Sequence, residues 1–136
     1  MRFQLSEKNC FYMETGALSG VLKIADRVCE DFALVFSEKP KSCNSLSELT
    51  DLPILFGTWG YSDILKQYEE KGIFKRETIE EKREVYSISI VEHPVKKGNH
   101  ALLIAGSDKR GTIYGLFKLS ELIGGSPLAY WCKVKP

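Results

Sequence analysis

The chain has 136 residues, 43% of them hydrophobic and 27% charged, which is one domain's worth of ordinary globular sequence, long enough to bury a real core. Its net charge of +1 gives no overall field that would gather nucleic acid or an acidic membrane surface. It holds no apolar run long enough to span a bilayer, and the first fifteen residues lack the apolar stretch of a secretory leader. These features predict a cytoplasmic protein, or a secreted one if a leader has been removed.

Residues 3–5 and 10–14 read as short strands around the turn Ser6-Glu7-Lys8-Asn9. Residues 17–36 then carry Leu18, Val21, Leu22, Ala25, Val28, Cys29, Phe32 and Phe36 on one stripe, with Lys23, Asp26, Arg27 and Glu30 largely opposite. That spacing predicts an amphipathic helix with Cys29 in the core. Residues 40–51, polar and rich in Ser and Lys, read as a loop. The run PILFGT at 53–58 predicts a short buried strand. Ser62 is placed to cap a helix over DILKQYEEK, which Gly72 ends. The charge-rich segment 73–84 carries no clear period; much of it reads as exposed loop with a turn of helix, since such a charge run is usually a solvated face.

Residues 85–91, VYSISIV, alternate with period two, so Val85, Ser87, Ser89 and Val91 face one way and Tyr86, Ile88 and Ile90 the other. A short turn leads to the most apolar strand, 101–105, and so short a connection favours antiparallel pairing. A last helix is expected over 112–123, ended by Gly124-Gly125 and Pro127. The order of elements predicts an α+β fold: one mixed β-sheet with about three helices packed on a face, forming a single domain over 1–136.

The four cysteines, Cys10, Cys29, Cys43 and Cys132, match no zinc spacing and suggest a reducing compartment. His93 and His100 flank the predicted hairpin turn, but two histidines without a third ligand read as surface residues, and no metal is expected. No cofactor motif is present. The stretch from Gly106 to Thr112, GSDKRGT, has the two glycines of a phosphate-binding loop between a strand and a helix. It lacks the lysine and the magnesium-binding hydroxyl that follow the second glycine, where Thr112 and Ile113 stand instead. The glycines therefore read first as devices for a tight turn and close helix packing. Asp108 beside Lys109 and Arg110 would stay ionised and make a poor general acid, so it reads as a helix cap with the two cations in solvent. Ser120 has no histidine nearby in the pattern. Trp59, Tyr61, Tyr130 and Trp131 are a candidate sugar-stacking surface, against the commoner role of aromatics in cores. No catalytic residue can be assigned from the residues alone.

The block ALLIAGSDKRGTIYGLFKLSELIGGSP resembles the end of the N-terminal domain of glycoside hydrolase family 115, the xylan α-1,2-glucuronidases. That family shows a near-identical AGSDKRGTIYG run, an LSE helix and an IG-SP sequence here. REVYSISIVEHP resembles the strand leading into the motif, and ADRVCEDFALVFSEKP the family's first helix and loop. After Pro127 the chain departs, with Leu128 and Lys133 where the family has Trp and Asp, while Trp131 and Val134 match. More distantly, the order of elements resembles the small α+β domain that precedes the barrel in β-hexosaminidases and other α-glucuronidases. The resemblance implies a non-catalytic accessory domain whose partner is a (β/α)₈ barrel. Such a barrel needs about 250 residues, so the catalytic carboxylates would lie outside this sequence. It also implies that Asp108, Lys109, Arg110, Thr112, Tyr114 and Trp131 are candidates for contact with an acidic oligosaccharide or with the barrel. A different reading of the same loop is an independent module that binds an anionic or phosphorylated ligand on the backbone amides of 106–112.

Overall fold

The computed structural model describes residues 2–124 and 131–133. In chain order these form β1 (Arg2–Gln4), β2 (Cys10–Tyr12), α1 (Ser19–Phe36), β3 (Lys41–Cys43), β4 (Pro53–Thr58), α2 (Asp63–Glu70), β5 (Tyr86–Glu92), β6 (His100–Gly106), α3 (Lys109–Ile123) and β7 (Trp131–Lys133). Single 3₁₀ turns stand at Leu46–Glu48 and Arg76–Thr78. The main sheet has five strands in the order β3-β2-β4-β6-β5, and β1 pairs separately with β7. All neighbours in the main sheet are parallel except β5 and β6, which form the expected antiparallel hairpin. The fold is α+β, with a mixed sheet and, among the described residues, three helices.

Alternation along the strands builds two cores. Ile54 and Phe56 of β4 and Leu102 and Ile104 of β6 point to one face, where Val21, Val28 and Phe32 of α1 and Leu116 and Leu119 of α3 cover them. Leu55, Leu103 and Ala105 point to the other, under Ile64, Leu65 and Tyr68 of α2. The helices therefore cover both faces, α1 and α3 on one and α2 on the other, rather than a single face. The cause is visible in β4 and β6, which are apolar on both sides and need cover on both. Cys29 lies in the core beneath α1, as its stripe predicts, and burial pushes its thiol pKa up to about 12.

Three local expectations are corrected. Residues 41–43, read as loop, form β3, an edge strand parallel to β2. The segment 73–84 is not all solvated: Phe74 and Ile79 are buried in the α2-side core. His93, expected at the surface, is buried, and its Nδ1 accepts from the backbone N–H groups of Val95 and Lys96. Nε2 must then carry the proton that bonds the Thr50 carbonyl, at 2.9 Å. His93 thus pins the β5–β6 turn to the loop before β4.

Candidate functional site

The parallel strands β2, β4 and β6 all end on the same edge of the sheet, and the loops leaving them gather there. The connection after β2 runs through α1 outward to β3, whereas the connection after β4 leads the opposite way, to β5 and β6. A crevice between the ends of β2 and β4 is the position where open α/β sheets hold ligands. Glu14 sits in that crevice.

Only 4% of Glu14 is exposed. One carboxylate oxygen accepts from the Ser62 hydroxyl at 2.6 Å and the other from the Ile64 backbone N–H at 2.8 Å. Ser62 in turn accepts from Leu65 N–H, the N-cap its sequence position predicts. The carboxylate therefore closes the N-terminus of α2, where the helix dipole favours a negative charge. Burial nonetheless dominates and raises its pKa, against the lowering effect of the Ser62 and Ile64 bonds. Nothing in the local sequence around Glu14 marks it, because its partners lie 48 and 50 residues away.

The raised value fixes the sign of a pH effect. The native state holds the Glu14 proton more tightly than the unfolded chain, so this group favours folding more as pH falls from neutrality toward 4.5, the ordinary value. Glu14→Gln is expected to flatten that part of the stability–pH curve, read by thermal denaturation across the range. An unchanged slope would mean that Glu14 does not titrate in this window.

The loop after β6 lies beside this crevice. Asp108 is the N-cap of α3, with one carboxylate oxygen accepting from Gly111 N–H at 2.8 Å. Its other oxygen accepts from Glu84 N–H at 3.0 Å, joining the loop to the segment before β5. The capping role matches the reading made from the residues, but the helix starts at Lys109, three residues earlier than expected. Gly106 and Gly111 are packing positions. A Cβ on Gly106 would strike Thr112, and one on Gly111 would strike the Val85 carbonyl. Thr112 is fully buried, bonded through its hydroxyl to Thr58 at 2.6 Å and within reach of the carbonyls of Gly57 and Asp108. It ties α3 to the end of β4.

Lys109, Arg110 and Tyr114 are exposed. Arg110 pairs with Glu84 at 2.8 Å, which holds its guanidinium pKa above the ordinary value. Lys109 makes no ion pair among the described residues, and its side chain lies across Gly20 in the first turn of α1. Both cations occupy helix starts that carry no acidic residue in the first turn. Ser120 is structural: its hydroxyl donates to Asp31 of α1 at 2.6 Å.

The aromatic surface is divided. Tyr61 is 62% exposed at the rim of an open groove that also includes Lys66, Glu69 and Arg76. Trp59 shares that groove but also packs against Phe74, with ring centroids 6.1 Å apart. Tyr130 lies outside the described residues; Trp131 stands in β7, opposite Gln4, and its side chain lies outside the description. Among the described residues no three His, Cys, Asp or Glu side chains gather as a metal set, and no helix is long and apolar enough to cross a membrane.

With this geometry in hand, the fold has a counterpart among solved structures. It matches a segment of a family GH115 4-O-methyl-α-glucuronidase with specificity for decorated arabinogalactans. The TM-score is 0.71 over 99% of this chain, at 20% sequence identity, and the match takes up 17% of the glucuronidase chain. The fold is that of one part of a much larger glycosidase. No family model matches the sequence. The search of curated proteins gives no match.

Proposed function

We propose that this chain is the non-catalytic N-terminal domain of a carbohydrate-active glycoside hydrolase resembling the xylan α-glucuronidases, packed against a catalytic barrel. The observation that carries the reading is the fold match that takes in nearly all of this chain and only 17% of a glucuronidase. The AGSDKRGTIYG resemblance supports it independently, because that run builds the loop at the strand ends where open α/β sheets generally hold ligands. On this reading Lys109, with Arg110 and Tyr114 beside it, faces the junction with the barrel or the rim of its active site. An ammonium or guanidinium there suits a uronic acid carboxylate.

The loop geometry favours this reading over an independent anion-binding module. Of the amides such a nest needs, Ser107 N–H donates to Val85, Gly111 N–H to the Asp108 carboxylate and Thr112 N–H to the Asp108 carbonyl. Asp108 thus fills with its own charge the place an anion would take.

The test compares the 136-residue chain with a longer protein in which it precedes a barrel. The chain alone is expected to show no turnover of aldouronic acids. Lys109→Ala is expected to leave its thermal transition in place, since the side chain is exposed, yet to lower activity or loosen domain contact in the longer protein. Normal kinetics and stability in that variant would reduce the loop to a solvated turn. Turnover by the isolated chain, lost on changing one of its own carboxylates, would overturn the non-catalytic reading.

A further inference from the structure

Strand β5 ends the main sheet, and among the described residues no strand pairs with its outer edge. Ser107 N–H bonds the Val85 carbonyl at one end of the hairpin and His93 N–H the Asn99 carbonyl at the other. With the unbroken register between them, this sets the alternation: the odd residues of β5 bond to β6, and the backbone groups of Tyr86, Ile88 and Ile90 point away. The described residues offer those outward groups no hydrogen bond. The open stretch stops at Glu92, whose carbonyl accepts from the Tyr68 hydroxyl. Residues 86–91 contain no proline, no lysine and no bulge, the devices that usually keep a sheet edge from pairing.

We propose that β5 pairs antiparallel with β5 of a second copy of this chain, about a two-fold axis at Ile88. The strand is self-complementary in that register. Ile88 meets Ile88 and Tyr86 meets Ile90 on the α3 side, while Ser87 meets Ser89 on the other. Exchange between the three outward-facing pairs supplies about six hydrogen bonds. The charges agree as well. Glu92 of the second copy arrives beside the Glu84–Arg110 pair, so Arg110 gains a second carboxylate. An edge alone buries too little area for a stable dimer. Tyr86, 37% exposed, and Tyr114, 43% exposed on the neighbouring helix, add the apolar surface that backs it.

Hydrogen exchange of individual amides, followed by NMR over a concentration series with sedimentation on the same samples, tests the pairing. As dimer forms, the amides of Tyr86, Ile88 and Ile90 are expected to slow by about tenfold or more, while those of Ser87, Ser89 and Val91 are protected at every concentration. Tyr86→Lys, at an exposed side chain, is expected to abolish dimerisation and leave the fold intact. Arg110→Glu should weaken the dimer, and adding Glu92→Arg should restore it. A monomer at the highest concentration overturns the proposal. So does a dimer whose Tyr86, Ile88 and Ile90 amides still exchange freely, or one that survives Tyr86→Lys. Protection of these amides that does not depend on concentration overturns it too, because the edge would then be covered within one copy.

Discussion

Leu103→Asp is expected to abolish the cooperative fold. Leu103 is fully buried in β6, with Leu55 of β4 on one side and Ser89 of β5 on the other. It faces the α2-side core, where its neighbours are apolar. A carboxylate there finds no partner, and burying one without compensation costs several kcal/mol against a total stability of about 5–15 kcal/mol. Far-UV circular dichroism with thermal melting reads the result. A cooperative transition close to that of the parent would mean that the α2 face opens to water at this position.

Gly111→Ala is expected to cost about 3 kcal/mol, the upper range for overpacking. The added methyl would run into the Val85 carbonyl, a backbone atom in the segment that Asp108 and Ser107 fasten to the loop. The neighbour cannot rotate away as a side chain would. Chemical denaturation of the variant measures the loss. A change below 1 kcal/mol would show that α3 can shift away from Val85 at little cost, and that close packing does not require glycine at this position.

How far the fold could be read in advance depended on whether a residue's fate is settled by its neighbours in sequence. The strands 53–58, 85–91 and 101–105 announce themselves because each carries its own apolar pattern. The faces assigned to Ile88 and Ile90, and to Val85 and Val91, are those observed in the two cores, and Tyr86 lies on the α3 side, near Gly115. β3 was hidden because Lys41-Ser42-Cys43 holds a single buried apolar residue and gains its strand conformation from pairing with β2. Ile79 was masked by eight charged residues between positions 75 and 84, yet it is its own burial that anchors that segment. Asp108 was legible as a cap because the amide it accepts from is three residues ahead. Glu14 was not, since a carboxylate reaching 50 residues along the chain to close another helix leaves no local signature.

The small pairing of β1 with β7 has a mechanical consequence. The two strands run antiparallel, with Arg2 opposite Lys133, so the chain enters and leaves the described fold side by side. A load pulling those ends apart acts across the strands, not along them. The hydrogen bonds of the pair then open one after another, like a zipper. Phe3, in the middle of β1, is buried in the same core as Ile54 and Leu102. Unzipping past it therefore draws a ring out of that core, so the load reaches the main sheet through packing before the pair has fully opened.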